Sequence, residues 1–377
     1  MEYSDIDSRR FGLNIYRATL PEIQEGELFE QLVSNKVDVA ILRFPTSQQH
    51  EISRLDRLGV PFTVGDVLVH YASDLRSLKT RTARNLGLTF ESAGDEHHQV
   101  LDALVTEIFA GYRNHYSSNP ILPKVDVLDG YCEWAREYCR NGREGRWAWI
   151  VRDAGLPVAF LTCSEAKDAQ EAVVVLNGVL PEVAGRGIYG DLVIFAQQFF
   201  AQRGVPLMLI STQVQNVAVQ KAWTHSGFVP THSYFTVHVN ASLSHSFRPP
   251  ERVAYSVSPS DADAYGHLSS DMNPIHFDDE AAQSIGSESR IAHGIIVNGV
   301  ASRFFGTVWP GPGCIFVGCT YRFLKPIYTS CNYEIIITFP LIDESRGFAK
   351  ALLRVVDETG ELCVLSYHDL QFEGGRQ

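Results

Sequence analysis

Two hydrophobic periods alternate along the chain. Apolar residues recur at every second position, or in short solid runs, from Asp38 to Phe44, Val64 to Tyr71, Arg146 to Val151, Leu156 to Cys163 and Glu171 to Leu180. This pattern predicts strands, the last three separated by turns at DAG and EAKDAQ. Helical spacing runs through residues 98–116, HQVLDALVTEIFAGYRNHY. The stretch VAGRGIYGDLVIFAQQFFAQRG then reads as a glycine-rich turn entering an amphipathic helix. A short buried strand, LMLIS, follows, and then a helix, NVAVQKAWTHSGF, stopped by Gly227.

Pro249-Pro250 interrupts both periods and predicts a linker. The resulting division is 1–241, a linker at 242–255, and 256–377. Beyond the linker a short helix, SDADAYGHL, is expected with Ser260 as its cap. Asp278 or Asp279 can cap the next one. His293 to Val308 reads as a long, mostly apolar helix ended by Pro310 and Gly311. Strands over 314–324, 332–342, 346–357 and 362–373 close the chain. A mostly apolar helix followed by a run of strands predicts a curved antiparallel sheet wrapped around it, so the fold class is α+β.

Composition narrows the picture. At 377 residues the chain is long enough for two cores. It is 45% hydrophobic and 20% charged, with a mean hydropathy of −0.07. A net charge of −12 argues against nucleic acid as a partner, because phosphate binding needs a basic face. The seven cysteines form no C-x-x-C pair and no zinc spacing with histidine, so no metal is expected and the thiols read as reduced, in a cytoplasm. No apolar run reaches membrane-spanning length, and the N-terminus lacks a signal-peptide core.

Gly185, Gly187 and Gly190 lie between an apolar strand and a helix. Glycines let a backbone approach a ligand closely, and free N–H groups at a helix start hold phosphate oxygens. With Asn216 opening a second helix that ends at Gly227-Phe228, this order resembles the GNAT superfamily of acyl-CoA-dependent N-acyltransferases over about residues 90–240. The preceding segment looks like the extra N-terminal region of sugar-nucleotide members such as TDP-fucosamine acetyltransferase. The resemblance implies a pyrophosphate loop at Gly185, Arg186, Gly187, Tyr189 and Gly190, with Asn216 on the cofactor side of the later helix. It also implies pantetheine inserted between two splayed strands. Three positions depart from the pattern: Ala184 replaces an Arg or Gln, Tyr189 a glycine, and Trp223 the tyrosine that protonates the leaving thiolate. In GYRNHYSSNP, His115 is the candidate base or substrate contact.

The second constellation is SDMNPIHFDDEAA, Ser270 to Ala282. Asn273-Pro274 forces a turn that can bring the Asp271 carboxylate and the His276 imidazole into one pocket. Adding water across an activated double bond needs such a pair. Gly294, at the start of the apolar helix, offers an N–H to the thioester oxygen. The series D-x-N-P-I-H, D-D-E-A-A, I-A-H-G, then PGPG and YRFLKPI, closely resembles the MaoC-like, (R)-specific enoyl-CoA hydratase branch of the hotdog fold over about residues 248–377. The resemblance implies Asp271 and His276 as catalytic groups, Gly294 as oxyanion donor, and a homodimer. Ser270 stands where that branch often has glycine.

Both regions thus point to coenzyme A thioesters. The joint expectation is hydration of a short enoyl-CoA, then transfer of the 3-hydroxyacyl group to a nucleotide-linked amino sugar. Two other outcomes stay open: a hydratase with an inactive GNAT region, or a transferase whose hotdog domain only dimerises the chain.

Overall fold

The computed structural model describes all residues except 79–80, 124–126, 140–143, 169 and 374–377. Ten strands of the N-terminal region form one sheet: β1 (Glu2–Tyr3), β2 (Ile15–Thr19), β3 (Val39–Pro45), β4 (Phe62–Asp74), β5 (Leu88–Ser92), β6 (Arg146–Asp153), β7 (Leu156–Glu165), β8 (Glu171–Val179), β9 (Leu207–Gln213) and β10 (Val229–Val239). Their order is β1-β2-β3-β10-β4-β9-β8-β7-β6-β5. Among the described residues seven α-helices accompany it: α1 (Asp5–Phe11), α2 (Glu25–Ser34), α3 (Ile52–Arg57), α4 (His98–Ile108), α5 (Leu128–Arg136), α6 (Ile188–Gln202) and α7 (Val217–His225).

Helices cover both faces of the β5–β9 half, which explains the solid apolar runs of β6 and β7. On one side α6 buries Leu192, Val193, Ala196 and Phe200 against Trp149, Leu161 and Val174. On the other, α4 and α5 bury Leu101, Val105 and Ala135 against Ile150, Phe160 and Leu176. The predicted helix over 98–116 stops at Ile108. Gly111 then takes a left-handed φ of 71°, and His115–Ser118 forms a 3₁₀ turn instead.

The strand β8 runs parallel to β9, but only Glu171–Val174 pairs with Leu207–Ile210. Beyond that point β8 stays bonded to β7, and β9 to β4. The sheet therefore forks, and the fork opens beside the start of α6.

The C-terminal region holds a five-stranded antiparallel sheet in the order β11-β13-β14-β15-β12, formed from β11 (Glu251–Ser256), β12 (Ile315–Phe323), β13 (Asn332–Asp343), β14 (Phe348–Asp357) and β15 (Leu362–Gln371). The last four match the sequence reading closely. The first does not: Glu251–Ser256 lies within the stretch read as linker, yet pairs with β13 along its whole length. Three helices complete the region: α8 (Pro259–Ser269), α9 (Asp279–Ser284) and α10 (Val297–Thr307).

Alternation assigns the sheet's faces. On one, Ala351, Leu353 and Val355 of β14 pack with Val297, Ala301, Phe304 and Phe305 of α10. On the other, Leu352, Leu365 and Tyr367 share a core with Leu42, Phe44, Leu55 and Val237 of the N-terminal region. Tyr367 Oη donates to the Ala241 carbonyl at 3.0 Å, and Arg354 to that of Leu243 at 3.1 Å. No helix among the described residues is long and apolar enough to cross a membrane. All seven thiols are free.

Candidate functional site

A cleft of about 1600 Å³ opens at the fork. Gly185, Gly187, Tyr189, Gly190 and Asn216 line it, together with Val175–Val179 of β8 and Ser211–Gln213 of β9. Gly187 is the N-cap of α6, with φ at 86°, a conformation that costs a side chain about 1–2 kcal/mol. A β-carbon there would also meet Arg84 Cδ at 2.9 Å. Arg186 does not line the cleft. It turns outward and pairs with Asp153 at 2.6 Å.

The cations the sequence reading missed are Arg81 and Arg84, which lie over Gly227 and Gly187. Asp191, in the first turn of α6, holds that segment by accepting from the backbone N–H groups of Arg84 at 2.7 Å and Asn85 at 2.9 Å. The Arg84 side chain beside the N-terminus of α6 favours an anion there, whereas Arg81 sits past the C-terminal end of α7. Their signal was the motif RTARN itself, which has neither strand nor helix period.

Trp223 is buried, and its Nε1–H donates to Tyr189 Oη at 2.9 Å. The two departures from the GNAT pattern therefore meet. A phenol stands beside the indole, with its own proton free to donate into the cleft. Asn216 is the N-cap of α7, its side chain bonded to Thr212 at 3.2 Å.

His115 is not on the surface. It is buried and faces His238, with 2.8 Å between Nδ1 and Nε2. Asn119 Nδ2 donates to His238 Nδ1 at 3.0 Å, and its carbonyl accepts from the Ile121 N–H, which fixes the amide's orientation. His238 must then donate to His115 Nδ1, so the remaining His115 nitrogen carries hydrogen. That suits a substrate contact and not a base. Burial holds both imidazoles well below the usual range, His238 to about 4.

In the C-terminal region Asp271 and His276 do come together. Ser270 ends α8 in a left-handed conformation, φ 61°, and turns the chain toward Asn273, which caps the 3₁₀ turn Pro274–His276. His276 Nδ1–H donates to the Ile291 carbonyl at 2.8 Å, leaving Nε2 bare. That atom stands 3.9 Å from the Asp271 carboxylate. Two acceptors at this spacing can share one water, at about 2.8 Å from each. His276 is mostly buried and Asp271 is 53% exposed, so the pair faces outward from a packed wall.

His293 is a further member. It stacks on His276 with ring centroids 3.9 Å apart, and its Nε2–H donates to the Asp271 carbonyl at 3.0 Å. Its Nδ1 is buried without a partner. Asp271, His276 and His293 could in principle hold a cation. Both imidazole Nε2 atoms, however, lie 3.9 Å from the carboxylate, wider than the roughly 3.4 Å between ligands of a tetrahedral zinc. Gly294 opens a 3₁₀ turn rather than the helix, which starts at Val297. A β-carbon at 294 would strike the Phe323 ring at 2.8 Å. Two caps are also settled: Ser258, not Ser260, caps α8 through a capping box with Asp261, and Asp278 caps α9.

A profile of the MaoC like domain matches residues 243–336. The (R)-specific enoyl-CoA hydratase of Rhodospirillum rubrum is 39% identical over 75 residues, 20% of this chain and 52% of that protein. The 3-hydroxybutyryl-CoA dehydratase of Methylorubrum extorquens is 35% identical over 110 residues, 29% of this chain and 68% of that protein. The chain thus spans about half to two thirds of these relatives. A solved GCN5-related N-acetyltransferase from Kribbella flavida superposes with a TM-score of 0.41 at 14% identity, over 59% of this chain and 80% of that one. Through its C-terminal region, the chain belongs to the MaoC-like family.

Proposed function

We propose that the chain handles coenzyme A thioesters at two sites. The C-terminal site adds water to a short 2-enoyl-CoA. The N-terminal cleft then passes the 3-hydroxyacyl group to an amine, with a nucleotide-linked amino sugar as acceptor. The observation that carries the first half is the bare His276 nitrogen facing the Asp271 carboxylate across 3.9 Å, within a sequence of the MaoC-like family.

For hydration, the pair binds one water by both of its hydrogens. Its oxygen bonds to C3 as one proton passes to the pair, and that proton is returned to C2. Negative charge grows meanwhile on the thioester oxygen, where the Gly294 N–H is the expected donor. His293 fixes the Asp271 backbone and stacks on His276, so it positions both groups.

For transfer, the support is the fork, the glycine turn and Arg84 beside that turn. The amine nitrogen adds to the thioester carbonyl and the C–S bond breaks. The Tyr189 hydroxyl protonates the departing sulfur; of the two protons the ammonium loses on becoming an amide, one leaves to solvent before attack and the other returns to the phenol.

Crotonyl-CoA is the test substrate. Its enoyl absorbance should fall with the protein present, and Asp271→Asn or His276→Ala should slow this by about 10²–10⁴-fold. Given preformed 3-hydroxybutyryl-CoA, the same variants should still release thiol in the presence of a dTDP-amino sugar. Undiminished hydration in both variants would sink the C-terminal assignment.

A further inference from the structure

Two charged side chains of the cleft wall flank a buried threonine. Thr236 of β10 sits directly opposite Arg43 of β3 on one side and Asp66 of β4 on the other. Directly paired residues project from the same face of a sheet. Both oxygens of Asp66, Nε of Arg43 and Oγ1 of Thr236 are shut off from water and bond to nothing. Arg43 and Asp66 line the cleft, and no ion pair joins them among the described residues. Two strand spacings separate their backbones, roughly 10 Å.

A buried carboxylate without a partner costs several kcal/mol, and native proteins keep such groups where a ligand completes them. Here two such groups of opposite charge line the cleft on either side of the buried Thr236. Asp66 shares its face with Leu68 and His70 of β4, and Leu68 lies opposite Gln213 at the fork. Burial and the neighbouring His232 and Arg43 push His70 down to about 4, so at neutral pH it adds no cation beside Asp66. Tyr112 bridges this wall to the fork through its bond to Gln213.

We infer that Asp66 and Arg43 are the docking site for the acyl acceptor, an amine that carries its own phosphate or carboxylate. Asp66 takes the ammonium and Arg43 the anion, while Thr236 holds the strand between them. This rests on the transferase reading of the cleft, and it names the acceptor's charge pattern.

The experiment compares glucosamine, glucosamine 6-phosphate, a dTDP-linked 4-amino sugar and β-alanine as acceptors, with thiol release from 3-hydroxybutyryl-CoA as readout. The anionic amines should be used better than glucosamine, and their ranking separates phosphate from carboxylate sources. Asp66→Asn should raise the acceptor KM at least thirtyfold, and Arg43→Gln should abolish the advantage of glucosamine 6-phosphate over glucosamine. Calorimetry should show acyl-CoA affinity within threefold of the parent for both variants. The Asp66→Asn protein should melt no earlier than the parent, because an unpaired buried charge has been removed.

An earlier melt would mark a structural carboxylate and overturn the assignment, as would an unchanged KM. If acyl-CoA binds the cleft and only uncharged amines, or none of the four, are acylated, the docking site is wrong while the cofactor site stands. If acyl-CoA does not bind the cleft, the transferase reading fails too.

Discussion

Ser270 adopts a left-handed backbone conformation at the end of α8, one residue before the Asp271 carboxylate. A glycine there would be unstrained, which is the physical reason the position favours one. Ser270→Gly should stabilise the chain by about 1 kcal/mol, read as a higher Tm, with hydration of crotonyl-CoA retained. Loss of activity would show that the serine side chain itself serves the site. The buried histidines set a pH limit. His238 and His368 are held near pKa 4 by burial, below their unfolded value of about 6.5. Between those values the unfolded chain binds more protons than the folded one. Stability is therefore complete above about pH 6.5 and is lost as pH falls toward 4. Thermal melts at stepped pH should show this slope, and His238→Gln should flatten it. Asp271 and His276 were legible in the sequence because a five-residue loop carries both. Asp66, Thr236 and Arg43 were not, because no local pattern announces which strands will become neighbours. The one available sign was a charged residue on a strand of otherwise apolar spacing, GDVLVHY.

The elements owe their positions to a few close approaches. Gly266 of α8 is the sharpest in the C-terminal region. A β-carbon there would meet the Phe277 ring at 2.4 Å, and the Asp271 carbonyl and His293 ring at 3.2 Å. The helix thus rests directly on the loop that holds Asp271 and His276. Gly266→Ala should displace that loop, lowering kcat for hydration more than tenfold and lowering Tm, while the N-terminal cleft keeps its affinity for coenzyme A. Unchanged hydration would mean that α8 does not set the loop. Strands β12–β15 were readable to within two residues; β13–β15 bury one or both faces at a fixed period, and β12 was bounded by PGPG before it and LKPI after it. The strand β11 was not, because Pro249-Pro250 just before it masks a short edge element. The helix expected to run to Tyr116 stopped early for a similar reason: Phe109, Tyr112 and Tyr116 recur at helical spacing, but Gly111 leaves the right-handed region.

At the scale of the whole molecule, the two regions share one core. Leu352, Leu365 and Tyr367 bury themselves among Leu42, Phe44 and Val237, and Arg322 reaches across to the carbonyl of Leu58 at 2.7 Å. The fragment 251–377 expressed alone should expose these side chains and aggregate, whereas the full chain should melt in one transition. A soluble, monodisperse fragment would contradict the shared core.

That core also decides how copies of the chain can meet. The five-stranded sheet has spent one flat surface on α10 and the other on the N-terminal region. Its remaining apolar exposure is the rim strand β12, with Ile315, Val317 and Phe323 uncovered. A rim that pairs with an identical rim does so by a half-turn, and the operation consumes both partners. Association through β12 would therefore terminate at two chains as far as that rim is concerned, because each copy of it is used up in the pairing.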